Sequence, residues 1–339
     1  MKNLKKDYFN PFFSHIYVEK SVRNHARTQK ILAKFPSARI IEIGHYKDVF
    51  CRSRQNLRLQ HHSQKLILAA RQGTLLYEGA PVCQRFGNEH FYYTSCAMNC
   101  VFDCEYCYLK GMYPSANIVV FVNLEDIFAE AERILEHHPL YLCVSYDTDL
   151  LALEPFIGYV QEWCDFASRH DHLTIEIRTK CASKTFVQHA TPLPNVIYAY
   201  TISPQAVIEA FEHHTASLAD RLSCAAGLMH AGCPVRLCFD PMIYMPGWKQ
   251  HYQEMMDQVL CTIDVDKMLD VSIGTFRISQ DYLKNMRKQE PDSAVIWFPF
   301  QKDDGYCHYP DSLMEEMECF LTGQFSEKIG REKIFRWNV

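Results

Sequence analysis

The sequence predicts an α/β protein: a partial (β/α)6 barrel with a small N-terminal α/β appendage and a C-terminal hairpin. From residue 90 onward, short apolar stretches alternate with helical patterns. The stretches are FYYTS at 91–95, LYLCVS at 140–145, LTIEIRT at 173–179, VIYAYTI at 196–202, VRLCFD at 235–240 and VSIGTF at 271–276. They are rich in β-branched and aromatic residues, as strands buried on both faces of a parallel sheet must be. Six such units fit a barrel open on one side rather than the eight of a closed one.

The front of the chain has a different texture. KSVRNHARTQKILAKF at 20–35 reads as a helix and ARIIEIG at 38–44 as a strand, and the polar stretch 45–72 ends in a second strand, KLILAA. This gives an appendage over 1–85, the barrel over 86–290 and a C-terminal hairpin and helix over 291–339. Within the barrel one helix starts at Asn123, with Asp126 three residues on and an apolar stripe of Leu124, Ile127, Phe128, Ala131, Ile134 and Leu135. Another starts at Ser217, with Asp220 at its third position and Gly232 past its end. In VIWFPFQKDDGYCHYP, at 295–310, two apolar-aromatic runs flank Asp303-Asp304-Gly305, a turn signal.

The totals narrow the class. Of 339 residues 48% are hydrophobic and 22% charged, as in a soluble globular protein. The net charge of −5 argues against a nonspecific coat for nucleic acid and leaves room for a local basic groove. No run approaches the ~18 apolar residues of a membrane span, and MKNLKKDYFNPFFSHIY has no signal-peptide core. Fifteen cysteines then suit a reducing cytoplasm, where thiols bind metal, react or pack. The expectation is a cytoplasmic protein with no membrane partner.

The densest chemistry is Cys100, Cys104 and Cys107, spaced Cys-x3-Cys-x2-Cys in CAMNCVFDCEYCYLKG. A zinc knuckle needs a second ligand pair roughly 12 to 20 residues further on. Here the next cysteine is Cys143, and His137 and His138 are adjacent, which is poor geometry for one metal. Three thiolates can instead hold three irons of a [4Fe-4S] cluster and leave the fourth iron open. That is the signature of the radical S-adenosylmethionine superfamily. Barrel chemistry sits at the C-terminal ends of strands. On this scheme those ends carry the cysteine loop, Ser145-Tyr146-Asp147-Thr148-Asp149, Arg178-Thr179-Lys180, Thr201 with Ser203, Asp240-Pro241 and Thr275-Phe276-Arg277.

CEYCYL, IVVFVN, SYDTDLLALE, RTK, TASLADRL, CFDPMI and GTFR, in this order over roughly residues 15–310, resemble spore photoproduct lyases. The resemblance implies repair of 5-thyminyl-5,6-dihydrothymine in ultraviolet-damaged DNA, started by a 5'-deoxyadenosyl radical from S-adenosylmethionine. It implies a low-potential electron donor such as flavodoxin or ferredoxin. By motif position it places Thr148, Asp149, Lys180 and Thr201 on S-adenosylmethionine and Tyr108 as a wall beside the radical, with Tyr106 and Tyr108 able to relay a hydrogen atom.

The hydrogen-atom donor departs from the common pattern. Many family members carry a cysteine where this chain has Tyr146. Cys143 lies three residues earlier, a spacing that points it to the other face of the strand. Clostridial-type members use a cysteine upstream of the first strand, which here is Cys83, with Tyr108 as its expected partner. Cys96 reads as a loop thiol near the cluster, since the family does not use a Cys-x7-Cys-x2-Cys pattern. Lys302 and Tyr306 are the candidates for the hairpin wedge by which the family enters DNA, though a plain structural hairpin is the other reading. Tyr146 and the net charge also keep open a lyase-like radical enzyme acting on a different substrate.

Overall fold

A computed structural model describes residues 13–79 and 83–336. They fall into two compact units, one made of residues up to 103 with 109–177, the other of 104–108 with residues from 178 onward.

In the first unit, a five-stranded sheet runs in the order Arg39–Ile43, His15–Glu19, Leu66–Ala69, Ile118–Phe121 and Ala97–Met98. Four of its strands are parallel and the last is antiparallel. Two of these strands are the ones the front of the sequence predicts. The sheet is completed from further along the chain by Ile118–Phe121, all four residues of which are buried. So short an apolar run is ambiguous between strand and helix in the sequence, and only its neighbours decide. Phe121, Val119, Ile67, Tyr46 and Phe50 close the core on this sheet.

The helix expected over 20–35 is shorter. A 3-10 turn at Lys20–Val22 precedes a helix at Ala26–Leu32, whose N-cap His25 accepts a hydrogen bond from the Arg27 amide. Pro36 disfavours helical backbone at the residue before it, so the pattern cannot run on.

The same unit holds Leu76–Glu78, Phe91–Thr94, Leu140–Cys143 and, as far as Ile177, Leu173–Thr179 as neighbouring strands, the first pair antiparallel and the rest parallel. The second unit holds Val196–Thr201, Val235–Met242, Asp270–Thr275 and Ile334–Arg336, all parallel. All six predicted barrel strands are present. A separate antiparallel sheet joins Arg277–Ser279, Tyr306–His308 and Gln301–Asp303. Its hairpin turns through Asp304 and Gly305, both left-handed with φ 47° and 85°, which is what the Asp-Gly pair supplies.

The two predicted helix starts are built differently. The Ser217 hydroxyl accepts from the Asp220 amide at 3.1 Å and donates to the Asp220 carboxylate at 2.7 Å, opening Leu218–His230 as the sequence predicts. Asn123 precedes Leu124–Leu135 without capping it. Its side chain instead accepts from the Arg71 amide at 2.7 Å, donates to the Arg71 carbonyl at 2.9 Å and donates to Asp126 at 2.7 Å. Tertiary demand from the loop after Leu66–Ala69 outcompetes the local cap.

In the second unit the neighbouring strands place Arg236 opposite Asp270, and both are buried. The guanidinium grips the carboxylate at both oxygens, with the second bond at 2.8 Å. Removing one partner strands an uncompensated charge in the core. Asp270→Ala is therefore expected to lose about 3–5 kcal/mol, read as a lower urea midpoint at unchanged slope. Loss below about 1 kcal/mol would show the pair to be dispensable.

Candidate active site

The cysteine loop is held by backbone geometry and side-chain struts. Asn99 takes a left-handed conformation, φ 66°, that asparagine tolerates better than most residues. Its amide donates to the carbonyls of Ser115 at 2.6 Å and Asn117 at 2.8 Å. The next residue, Cys100, offers its carbonyl to the Gln64 amide at 2.9 Å, and its Sγ accepts from the Phe102 N–H at 3.4 Å. Further on, the Cys107 N–H closes a turn onto the Cys104 carbonyl at 3.2 Å. None of the fifteen cysteines is in a disulfide.

The loop after Leu140–Cys143 is pinned by Asp147, a buried carboxylate that accepts from the hydroxyls of Ser95 and Tyr113. Beside it, the buried Thr148 hydroxyl has no hydrogen-bond partner among the described residues. A buried polar atom left unpaired is costly and marks a place for a ligand group. Asp149 is the N-cap of the helix Leu150–Ile157 and accepts from the Ala152 amide at 3.0 Å. It orients the backbone that presents Thr148.

In the second unit, Glu212 sits in the middle of a buried network. It accepts from the Tyr106 hydroxyl, from Ser203 Oγ at 2.8 Å and from the Arg221 guanidinium. Arg221, fully buried, also donates to Thr215 Oγ1 at 2.7 Å and to the carbonyls of Thr201 and Ala216 at 3.0 Å each. Lys180 Nζ donates to the Tyr106 hydroxyl at 2.7 Å, lies 3.4 Å from Glu212 and reaches Cys104 Sγ at 3.8 Å. Burial would push the Glu212 carboxyl up, but Arg221 and Lys180 hold it well below the ordinary carboxylate range. Burial, with Glu212 beside it, drives the Tyr106 phenol well above its usual value. Burial opposes the charge on Lys180, and Cys104 and Glu212 overcome it. The result is an ionised carboxylate between two cations, with a neutral phenol hydrogen-bonded to it.

Of the residues singled out from sequence, the structure thus joins Cys104, Tyr106 and Lys180. Thr201 is buried at its strand end, Tyr108 is half-buried, and Lys302 and Tyr306 face each other's strands in the hairpin, Lys302 exposed and Tyr306 half-buried. Cys83 Sγ lies 3.4 Å from the Tyr146 hydroxyl. Cys143 is buried in its strand. Cys96 donates to the Val144 carbonyl at 3.5 Å, and burial pushes its thiol up to about 12. Sequence reasoning passed over Ser95, Glu212 and Arg221 as site-building residues, and named Asp147 only among the polar strand ends. Arg221 lies inside TASLADRL, whereas nothing local distinguishes Glu212 from a solvated carboxylate.

Among the described residues, no three His, Cys, Asp or Glu side chains converge on a single-ion site. The donor set fits an iron–sulfur cluster on other grounds. Thiolates of a cluster accept N–H···S bonds that tune it, and Phe102 N–H and Lys180 Nζ are directed at Cys100 and Cys104.

The spore photoproduct lyase family model matches residues 14–294. Spore photoproduct lyases of Clostridium acetobutylicum and Geobacillus sp. are each 24% identical, over 202 and 188 residues. These matches take in 58% and 54% of this chain and span only 59% and 54% of those relatives' length. A solved spore photoproduct lyase complexed with dinucleoside spore photoproduct superposes with TM-score 0.81 at 17% identity, over 97% of this chain and 99% of that one. A doubly substituted lyase with bound AdoMet and dinucleoside spore photoproduct gives TM-score 0.79 at 18% identity, with the same coverage. The fold is therefore the mixed α/β fold of those enzymes, and the chain belongs to the spore photoproduct lyase family.

Proposed function

We propose that this chain reverses the spore photoproduct in ultraviolet-damaged DNA, returning two thymines. The observation that carries the reading is the Cys100, Cys104 and Cys107 loop, with N–H donors directed at two of its sulfurs, in a chain whose solved relatives hold AdoMet and the dinucleoside lesion. A [4Fe-4S] cluster with S-adenosylmethionine at its open iron supplies a 5'-deoxyadenosyl radical when bound.

The chain's own residues do the rest. Cys100, Cys104 and Cys107 ligate three irons. Thr148 offers a buried hydroxyl and Lys180 an ammonium to S-adenosylmethionine, while Asp149 and Thr201 shape the backbone around it. Tyr106, locked by Glu212 and Lys180, walls the radical with Tyr108 beside it. Cys83 gives a hydrogen atom to the product radical in place of the cysteine that Tyr146 replaces. In the hairpin, Lys302 and Tyr306 meet the DNA at the lesion. A flavodoxin or ferredoxin reduces the cluster, and fifteen unbridged thiols suit the reducing cytoplasm in which such carriers work.

A second reading rests on Tyr146: a lyase-like radical enzyme with another substrate. Anaerobic reconstitution, reduction and incubation with synthetic dinucleoside spore photoproduct separates the two. The first reading expects 5'-deoxyadenosine and free thymine product. 5'-Deoxyadenosine alone moves the case to the second, and neither product sinks both. Cys83→Ala is expected to keep 5'-deoxyadenosine formation and lose clean thymine release; release at the wild-type rate would remove Cys83 as donor. Lys302→Ala is expected to weaken duplex binding uniformly across sequences and to lower the salt slope by about 1, measured by fluorescence anisotropy, with dinucleoside repair unchanged. An unaltered salt slope would leave the hairpin a structural one.

A further inference from the structure

One stretch of the first unit carries a charge opposite to that of the whole chain. Residues 47–65 include Lys47, Arg52, Arg54, Arg58 and Lys65 against a single carboxylate, Asp48, in a chain of net charge −5. Lys47, Arg52, Arg54, Arg58 and His62 are exposed. Among them stands Leu59, 67% exposed, the most exposed of the large apolar side chains among the described residues. Arg54 holds a left-handed backbone, φ 60°, a conformation that suits glycine or asparagine, so the turn does not itself ask for arginine.

Three glutamines lock this basic surface onto the cysteine loop. Gln55 Nε2 donates to the Phe50 carbonyl at 2.7 Å and the Arg52 carbonyl at 3.0 Å, while its Oε1 accepts from Gln60 Nε2 at 2.7 Å. Gln60 Oε1 accepts in turn from the Ala116 N–H at 2.8 Å and from Ser115 Oγ at 3.2 Å. Gln64 Nε2 spans the carbonyls of Ala116 and Cys100, 2.9 Å from each. His61 Nε2 lies 3.5 Å from Asp103, a carboxylate already paired with Lys110 at 2.6 Å. The helix Leu57–His61 and the turn before it are thus braced against Cys100 and Asp103. The carboxylate nearest to them in the cysteine run is itself balanced by a cation.

We propose that the surface of residues 47–65, centred on Leu59, docks the flavodoxin that reduces the cluster. Electron transfer slows steeply with distance, so a carrier has to seat on a surface that adjoins the cysteine loop, as this one does. A flavodoxin is acidic, and its flavin presents the apolar dimethylbenzene edge inside a carboxylate rim. Leu59 within a ring of arginines is the complement of that face, an apolar centre in a charged border. Phosphate backbones ask for cations and leave an exposed leucine uncovered, so nucleic acid fits this surface less well. In the docked pair one electron passes from the anionic reduced flavin to the cluster. The flavin is oxidised by one electron and keeps its proton, the cluster is reduced by one, and no covalent bond forms or breaks. The inference rests on the reading that a low-potential carrier reduces the cluster.

The test uses the cluster-loaded full chain and a bacterial flavodoxin reduced to its hydroquinone. Binding is read by the anisotropy of labelled flavodoxin, and electron transfer by stopped-flow loss of cluster absorbance. Arg54→Glu combined with Arg58→Glu is expected to weaken binding and slow the absorbance loss by about tenfold or more at low salt, with the gap closing as salt rises. Leu59→Ser is expected to weaken binding while keeping the salt dependence of the wild type. Both variants are expected to match the wild type in cluster reduction and 5'-deoxyadenosine formation when dithionite is the donor, which shows them folded. Wild-type flavodoxin affinity in the charge-reversed chain overturns the docking site. So does a wild-type chain that dithionite reduces and flavodoxin neither binds nor reduces; the function reading survives both results. A charge-reversed chain that loses affinity for undamaged duplex DNA and keeps it for flavodoxin also overturns the site, and makes the surface a phosphate contact. Absence of 5'-deoxyadenosine from the dithionite-reduced wild type sinks the function reading, and the docking site with it.

Discussion

One buried carboxylate organises the second unit. Glu212 is fully enclosed, and an isolated charge in that position is untenable unless it is paired and hydrogen-bonded. Arg221 and Lys180 supply the charge, and Tyr106 and Ser203 supply hydrogen bonds. Each of these partners brings its own stretch of chain. Tyr106 sits between Cys104 and Cys107, Lys180 follows Leu173–Thr179, Ser203 follows Val196–Thr201, and Arg221 lies on Leu218–His230. A five-residue segment carrying two of the three cysteines of the triplet is thereby tied to the strand ends by hydrogen bonds and charge.

The first unit uses the same device on a smaller scale. Asp147 accepts from Ser95 and Tyr113, and so ties the loop after one strand to residues flanking the cysteine run. Because that carboxylate is satisfied by protein, the Thr148 hydroxyl next to it stands out as unsatisfied.

Legibility in the sequence followed from how local each determinant is. Strands such as Val196–Thr201 and Val235–Met242 are read directly, because burial on both faces demands a continuous apolar run. The Ser217–Asp220 capping box is read directly for the same reason: donor and acceptor are three residues apart. Asn123 carries the same kind of local signal, yet its side chain answers Arg71, 52 residues away. Ile118–Phe121 was not read as a strand, since its partners Leu66–Ala69 and Ala97–Met98 come from distant parts of the chain.

The site divides along the same line. By itself, the sequence determined the cysteine triplet and its cofactor chemistry, because ligand spacing within eight residues is a local property of the chain. It also raised Cys83 as a candidate donor, because Tyr146 stands where the resemblance expects a cysteine. Only the tertiary structure decided that Cys83 meets the Tyr146 hydroxyl, and that Lys180 and Tyr106 share Glu212. Those contacts depend on strand register and on burial, which set both the distances and the strength of each charge, and neither quantity is written in the spacing of residues along the chain.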